Sequence, residues 1–391
     1  MSRPVVPHAP ATTPSSMSSR PLAGAVLATA VAALLAGCGE QSAARPTATP
    51  AATPTPTGVT AAHPGTGPLV GVLDHPFGTV RNTLRLLRPD GVEAASTTLS
   101  DTAEAVSMAG RRALIAGDGL IRALDESGTL TDVETLAPSA GTDLLRGIVA
   151  APDGTTWVWS VLHRDDAGVL HSLVYLGAQG ADPRLLLDRP NPDHALRPLS
   201  WTGAAPVMSD DVVGIGGYII FRHSFGAAER LDPTTGSLAA LTADTCALSD
   251  VAADGSASCV VDGREGPHGP GPVTLRIISP SGPVHDLPQP TSVAQAGAAL
   301  FSPDGHHLTL ATSPALGSDG ESVATAIIDT ATWQTRPVAT GLIPTAWLDA
   351  ATIVAVRDPS VAGGDPGTYL LRLDGTSTRL SAATTVIGLS H

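Results

Sequence analysis

The chain has 391 residues, of which 22 are basic and 36 are acidic, so its net charge is −14 at pH 7. All of the basic residues are arginine. An acidic chain lacks the basic footprint that nucleic-acid binding requires, and charge alone would not hold it on anionic lipid. We therefore expect no nucleic-acid partner and no purely electrostatic attachment to a membrane.

An apolar run at residues 22–35 is the first element of the chain. It is too short to span a bilayer comfortably, so it predicts the h-region of a signal peptide. The run ends in Leu35-Ala36-Gly37-Cys38, which resembles the lipobox of bacterial lipoproteins. The resemblance implies that residues 1–37 are removed and that Cys38 carries lipid such as palmitate. The protein would then be anchored to the cell membrane and face outside the cytoplasm. An ordinary secretory signal with a chance cysteine is the alternative.

Residues 38–66 are rich in Pro, Thr and Ala and have no apolar periodicity. Such a segment cannot bury a core, so we expect a disordered, lipidated linker that separates the membrane from a folded domain at residues 67–391. The absence of lysine together with abundant Ala, Gly, Pro and Arg is typical of a GC-rich genome, and predicts an actinobacterial source.

From Leu69 onward, short apolar or alternating runs are separated by turn residues, which is typical of an all-β fold. One class of turn recurs every 44 to 52 residues, with markers at Gly110, Gly154, Gly203, Gly255, Gly305 and Ala350. A second class lies between these markers, and includes Arg88-Pro89-Asp90-Gly91 and Leu373-Asp374-Gly375. Both classes place Pro, Asp and Gly where tight turns require them.

Two hairpin turns per repeat define four strands, A to D, and repeated four-stranded units predict a β-propeller. The first class of turn would join strands A and B, and the second would join strands C and D. The sequence has seven C–D turns but six A–B turns, and the first repeat begins without a strand A. Residues 384–389 form a final strand with no repeat of their own. We therefore predict a seven-bladed propeller in which this last strand completes the first blade and closes the ring.

The stretches Ser302-Pro303-Asp304-Gly305-His306-His307-Leu308 and Ala151-Pro152-Asp153-Gly154 resemble the repeat of TolB-type periplasmic propellers. WD-repeat proteins are similar in repeat length, but their Gly-His and Trp-Asp signatures are missing here. The resemblance implies a propeller fold. It implies little about function, because propellers serve as binders, scaffolds and enzymes.

Two cysteines, Cys246 and Cys259, lie within the predicted propeller. An even pair in an exported protein predicts a disulfide. If Asp254-Gly255 centres a tight hairpin, Cys259 lies opposite Asp250, and a disulfide then requires Cys246 to lie in a loop that folds back. Two buried free thiols are the alternative.

The predicted B–C connections carry many acidic residues and few basic ones, so we expect an electronegative face at one end of the propeller. Such a face could attract a basic partner or hold Ca²⁺, whereas solvated acidic loops are the alternative. Asp165, Asp166, Asp210 and Asp211 are the principal candidates for such a site. The adjacent His306 and His307 are expected on one strand, with side chains on opposite faces, so they would not share a metal.

The longest predicted B–C connection is an insertion at residues 210–226 of the fourth blade. It holds Tyr218, Phe221, Arg222, His223 and Phe225, and aromatic residues with arginine are enriched at contact sites. A lid that packs these rings on a neighbouring blade is the alternative interpretation.

No strong catalytic motif is present, so we predict no catalytic residue and no cofactor apart from Ca²⁺. The favoured function is a non-catalytic binding or scaffold lipoprotein with a protein or glycan partner at the cell envelope. The alternative is a propeller hydrolase or lactonase with a divalent metal at the acidic mouth of the channel. A cofactor-dependent dehydrogenase propeller is disfavoured, because the sequence has five tryptophans and no ring-stacking motif.

Overall fold

The described residues contain strands and turns but no helix. The computed structural model describes residues 67–74, 82–100, 103–136, 144–190, 194–212, 226–243, 245–261, 272–281, 285–314, 322–361 and 364–390. These residues belong to the compact unit Val59–His391, whereas the unit Met1–Gly58 lies outside the described residues. Cys38 and the predicted signal peptide and linker therefore also lie outside them. Among the described residues, no helix has the length and apolar character needed to cross a membrane.

The described residues form 28 strands, all antiparallel to their neighbours. The first fifteen are β1 (Val70–Asp74), β2 (Thr83–Leu87), β3 (Glu93–Thr98), β4 (Ala103–Ala109), β5 (Arg112–Gly117), β6 (Leu120–Leu124), β7 (Leu130–Thr135), β8 (Leu144–Ala150), β9 (Thr156–Arg164), β10 (Leu170–Ala178), β11 (Ala181–Pro190), β12 (His194–Thr202), β13 (Ala205–Val212), β14 (Ala228–Leu231) and β15 (Leu238–Ala240). The remaining strands are β16 (Cys246–Val251), β17 (Ala257–Val261), β18 (Thr274–Ile278), β19 (His285–Pro288), β20 (Gln295–Gly297), β21 (His307–Ser313), β22 (Ala324–Asp329), β23 (Thr335–Thr340), β24 (Ile343–Asp349), β25 (Thr352–Arg357), β26 (Gly367–Arg372), β27 (Ser377–Ser381) and β28 (Thr385–Leu389).

The strands form seven four-stranded sheets, which are the seven blades of a propeller. Six blades consist of consecutive strands: β4–β7, β8–β11, β12–β15, β16–β19, β20–β23 and β24–β27 are blades two to seven. Blade one has the order β28-β1-β2-β3, so its inner strand comes from the C-terminal end of the chain. The predicted fold class, the number of blades and the closure of the ring are confirmed.

Ring closure depends on a close approach between β1 and β28. Val70 lies opposite Leu389, and beyond the paired strands Leu69 and Ser390 exchange hydrogen bonds, one from each backbone N–H. A Cβ atom at Gly71 would lie 2.6 Å from Cγ1 of Ile387. Any larger residue at position 71 would therefore push the closing strand away.

The structure of the turns explains why their residues recur in the sequence and reveal the repeat. Gly154 closes the A–B turn of blade three with a φ of +70°, and a Cβ atom there would lie 2.6 Å from the backbone O of Ala109 in blade two. The preceding Asp153 accepts a hydrogen bond from the N–H of Thr155 at 2.9 Å. Glycine is thus required both by the left-handed conformation and by the neighbouring blade.

Buried hydroxyl groups connect successive blades. Ser160 donates a hydrogen bond to the backbone O of Leu196 at 2.7 Å, and Thr368 donates to the backbone O of Ala383 at 2.7 Å. Leu196 belongs to strand β12 of the next blade, and Ala383 lies in the connection that leads to β28 in the next blade. Each such bond contributes about 1 kcal/mol and fixes the height of one blade against the next.

Cys246 and Cys259 form a disulfide, with 1.98 Å between their Sγ atoms and 5.4 Å between their Cα atoms. The register expected for this hairpin was wrong. A β-bulge between Leu248 and Asp250 places Cys259 opposite Leu248, so Cys246 reaches it from within strand β16 and not from a loop. One extra residue in a strand changes which side chains meet, and the turn residues alone do not predict it.

Candidate functional site

At the end of the propeller that carries the B–C connections, several of the described acidic side chains form ion pairs. Asp165 and Asp166 lie in the turn between β9 and β10, as predicted. Asp165 accepts a hydrogen bond from the backbone N–H of Val169 at 2.7 Å, and its Oδ2 lies 3.4 Å from Nε2 of His171. Nδ1 of the same histidine lies 2.7 Å from Oδ1 of Asp188.

Two carboxylates therefore hold one imidazole at this end of blade three. Its hydrogen bond to Asp188 raises the pKa of His171, and Asp165 adds to the effect. The hydrogen bond from the N–H of Val169 lowers the pKa of Asp165, and His171 contributes in the same direction. Both shifts favour the charged forms, so a protonated His171 compensates one of the two negative charges beside it.

Asp210 and Asp211 do not lie in an insertion. They belong to strand β13, which continues to Val212, so their predicted position in a loop was wrong. Asp210 pairs with Arg189 at 3.0 Å, and Asp211 pairs with Nε of Arg197 at 2.6 Å while accepting a hydrogen bond from Ser209. The burial of Asp211, whose exposed fraction is 3%, is possible because an arginine and a hydroxyl compensate its charge.

The five residues of the predicted contact loop, Tyr218, Phe221, Arg222, His223 and Phe225, lie outside the described residues. Elsewhere at this end, Asp74 pairs with Arg85 at 3.2 Å, and Asp358 accepts a hydrogen bond from the N–H of Ser360 at 2.9 Å. Within the described residues, no group of three or more His, Cys, Asp or Glu side chains is arranged to hold a metal ion.

The opposite end, where strands A turn into strands B, contains two cavities. The first occupies the central channel and has a volume of about 310 Å³. Every blade contributes to its wall, mostly through the last residues of the inner strands. The wall combines aliphatic side chains with polar groups, which come from Ser107, Ser200, Trp201, Ser249 and Thr345. Asp250 is the only charged residue among its described lining residues.

Asp250 lies at the end of β16, directly after the bulge that sets the disulfide register. Its Oδ2 accepts a hydrogen bond from the backbone N–H of Phe301, in blade six, at 2.8 Å. Burial raises the pKa of Asp250 to about 6, although the hydrogen bonds from the N–H groups of Phe301 and Val251 act in the opposite direction. Desolvation thus outweighs two backbone donors, since no cation of the described residues is close enough to contribute.

The second cavity lies between blades five and six and has a volume of about 430 Å³. Its apolar wall comes from Ile277, Phe301 and Trp333, and the ring of His285 stacks on Trp333 with 4.1 Å between centroids. Trp333 has a φ of +59°, and its N–H bonds to the backbone O of Asp329 at 2.7 Å. In blade four the equivalent bond is made by Gly236, so a bulky residue occupies a left-handed position that glycine normally fills.

Two carboxylates border this inter-blade pocket. Asp254 accepts hydrogen bonds from the N–H and the hydroxyl of Ser256, and Asp304 accepts from the hydroxyl of Ser302 and the N–H of His306. The bond from Ser302 is the largest influence that lowers the pKa of Asp304, so this group is ionised at neutral pH. The pocket therefore combines aromatic faces with fixed hydrogen-bond acceptors.

Sequence reasoning missed both cavities. A signal for Asp250 exists: five positions before each A–B marker the other repeats have a neutral residue, namely Ala105, Val149, Pro198, Leu300 and Thr345. The stacked pair of His285 and Trp333 left no such signal, because the two residues belong to different blades.

His307 begins strand β21, but His306 lies in the preceding turn, so the prediction that both lie on the strand was wrong.

No family model matches the sequence, and no curated protein sequence matches it. Solved structures do match. The acylaminoacyl peptidase of Pyrococcus horikoshii is 13% identical over 82% of this chain and 51% of its own chain, with a TM-score of 0.50. An acylaminoacyl peptidase in complex with Z-Gly-Gly-Phe-chloromethyl ketone is 12% identical over 81% of this chain and 51% of its own, with a TM-score of 0.52. TolB from Agrobacterium tumefaciens is 14% identical over 80% and 88% of the two chains, with a TM-score of 0.35.

These likenesses concern the fold alone. The identities are too low to transfer a function, and this chain spans about half the length of the two peptidases. The peptidase matches agree with the propeller that the strand order defines. Function has to be argued from the cavities themselves.

Proposed function

We propose that this protein is a membrane-anchored lipoprotein that works outside the cytoplasm, and that its propeller is a non-catalytic binding module for a partner in the cell envelope. The lipobox-like ending at Cys38 and the Pro/Thr-rich residues 38–66 support the anchor and the linker. A propeller supports the binding role because seven blades bring residues distant in sequence to one end of a rigid ring.

The inter-blade pocket carries the proposal. Trp333 and Phe301 offer aromatic surface, while Asp254 and Asp304 offer acceptors at fixed positions. A pocket of about 430 Å³ with apolar walls and few, fixed polar groups is typical of a ligand site. A sugar presents both apolar C–H faces and hydroxyl donors, so a glycan fits this wall better than a wholly apolar or anionic ligand.

The left-handed backbone of Trp333 strengthens the argument. A non-glycine residue at such a position costs about 1 kcal/mol or more, and such strain is concentrated at functional sites. The ring is half-buried: one part packs against the core cluster that includes Leu308 and Ile328, and the rest is exposed in the pocket. A ligand that binds to this exposed surface gives the strained position a role beyond core packing.

The test is a titration of the full chain, in detergent, with neutral oligosaccharides from bacterial envelope polysaccharide. Tryptophan fluorescence monitors the binding. We expect Trp333→Ala to weaken binding at least tenfold, because a central aromatic contact typically contributes more than 1.4 kcal/mol. Tyr369→Ala is the matched control, since Tyr369 is also half-buried and lies near the other end of the propeller. Equal affinities of the Trp333 variant and the unaltered protein would contradict the proposed site.

The lipid anchor requires its own test. Cells that express the full chain are given radiolabelled palmitate, and membranes are separated from the soluble fraction. We expect label and membrane association for the unaltered protein and neither for Cys38→Ala. Label on the variant, or none on the unaltered protein, would contradict a lipid at Cys38.

A metal titration separates this proposal from a metal-dependent hydrolase or lactonase. We expect Ca²⁺ and a chelator to leave the melting temperature of the full chain unchanged. One tightly bound divalent ion per chain would favour the enzyme and justify a screen of ester and lactone substrates.

A further inference from the structure

The channel cavity holds a carboxylate, Asp250, that has no charged partner among the described residues. It forms no ion pair with any of them, in contrast to Asp210 and Asp211 at the other end. Among the described residues that line the cavity there is no Arg, His or Glu and no second Asp. Within the described part of the chain, the backbone N–H groups of Phe301 and Val251 are the polar contacts that favour its ionised form.

A carboxylate that lines a partly enclosed cavity without a charged partner favours a ligand that brings a positive charge. Desolvation penalises the carboxylate while it is alone, and a cation placed beside it recovers part of that penalty because Coulomb attraction is stronger at a partly buried site than in bulk water. The wall around it includes apolar side chains, with Met108, Val149, Leu248 and Ile387 among the contributors. The site therefore suits a ligand that has an apolar body and one positively charged group.

We propose that the central channel binds a small organic monocation, a primary or secondary ammonium on an apolar body, with its nitrogen at Asp250. One carboxylate balances one charge, which disfavours polyamines. A calcium ion would require six to eight oxygen ligands, and the described wall supplies one carboxylate. A volume of about 310 Å³ lies at the lower end of the range for small-molecule sites, so the ligand is compact.

This site is separate from the inter-blade pocket, although the two are neighbours. Phe301 donates its backbone N–H to Asp250 and lines the inter-blade pocket. The proposal therefore goes beyond glycan binding and does not depend on it. Loss of the glycan site through Trp333→Ala should leave ammonium binding in the channel unchanged.

The experiment is calorimetric titration of the full chain with matched pairs of probes: cyclohexylamine against cyclohexanol, and benzylamine against benzyl alcohol. At pH 7.5 we expect each amine to bind at least tenfold more tightly than its alcohol. At pH 5 the amine should bind about tenfold more weakly, because about a tenth of Asp250 is then ionised while the amine keeps its charge.

The decisive variant is Asp250→Asn, which keeps the shape of the side chain and an acceptor for the N–H of Phe301. It should abolish both the preference for the amine and the pH dependence, and its melting curve shows whether it remains folded. Asp304→Asn is the matched control, because that carboxylate lies at the same end but outside the channel. Equal binding of amine and alcohol by the unaltered protein, or an amine preference that survives Asp250→Asn, would overturn the proposal.

Discussion

Two carboxylates at opposite ends of the propeller are held in opposite ways. At the B–C end, the buried Asp211 lies 2.6 Å from an arginine nitrogen and accepts a hydrogen bond from Ser209. At the A–B end, the half-buried Asp250 lines a cavity and has backbone donors, but no described cation beside it. Both residues are on strands, and Asp211, but not Asp250, was predicted from the sequence as a candidate for a binding site.

The comparison distinguishes a carboxylate whose charge stabilises the fold from a carboxylate whose charge is available to a ligand. A carboxylate that is already paired stabilises the fold and has little to gain from binding. An unpaired carboxylate beside a cavity destabilises the empty protein and is stabilised when a cation arrives. The number of acidic residues at one end of a propeller therefore does not identify a site, because it says nothing about which charges are compensated.

The largest effect that tests this contrast is expected for Asp211→Asn. The substitution leaves the partly buried Arg197 without its carboxylate, and we expect the free energy of unfolding to fall by about 3 kcal/mol. Urea denaturation at pH 7.5 measures it. Asp166→Asn, in the exposed turn after β9, is the control and should change stability by less than about 0.5 kcal/mol. Equal effects of the two substitutions would mean that the pair contributes nothing.

The same chemical change at Asp250 should have the opposite sign. Its pKa rises from the usual value to about 6 on folding, so the folded protein binds more protons than the unfolded chain between about pH 4 and 6. Stability from this group is present at low pH and is lost as pH rises through about 6. Asp250→Asn cannot ionise, so above pH 6 it should be more stable than the unaltered protein, by about 2 kcal/mol for this half-buried side chain.

Urea denaturation of Asp250→Asn and of the unaltered protein from pH 4 to 7.5 checks this prediction. The difference between them should be near zero at pH 4 and grow with pH. A constant difference, or a destabilised variant at pH 7.5, would show that Asp250 is compensated in the folded protein and would remove the contrast with Asp211.

The fold was predictable because its determinants are local. Turns such as Ala151-Pro152-Asp153-Gly154 require particular residues, and their spacing alone gave the number of blades and the origin of the closing strand. The register of β16 and β17 was not predictable in the same way. The bulge before Asp250 depends on packing against neighbouring strands, and it decides where Cys246 meets Cys259.

The cavities depend on contacts between blades, and these leave no short-range pattern. The N–H of Phe301 meets Asp250 across 51 positions, and His285 meets Trp333 from the adjoining blade. Asp210 was expected in a loop because the predicted B–C insertion of the fourth blade begins there. Strand β13 extends over Asp210 and Asp211, whose charges are compensated by Arg189 on β11 of the preceding blade and by Arg197 on the paired strand β12.

A smaller effect concerns Trp333 within the A–B end. Trp333→Gly removes a half-buried ring but relieves a left-handed backbone, a gain of about 1 kcal/mol. We expect the two effects to cancel to within about 1 kcal/mol in urea denaturation, while oligosaccharide binding is lost. Trp347→Gly is the contrasting control, because Trp347 is buried and donates a hydrogen bond to the backbone O of Leu300, so it should destabilise the protein strongly. A large loss of stability for Trp333→Gly would instead assign that ring to the core.

The smallest effect is a change of protonation at the B–C end. Asp188→Asn removes the main hydrogen bond that raises the pKa of His171, so this pKa should fall toward the ordinary value for histidine. NMR titration of the imidazole measures the change, and His163→Gln is needed to assign the signals because the two rings lie 6.4 Å apart.

Because the pKa of His171 is raised on folding, its stabilising interaction is present at low pH and is lost as pH rises through the folded value. This pH dependence has the same direction as that of Asp250 but the opposite cause. His171 is stabilised in its charged form by two carboxylates, whereas Asp250 is stabilised in its neutral form because no described cation lies beside it. The two titrations therefore distinguish a compensated end of the propeller from an uncompensated one, even where their effects on stability run in parallel.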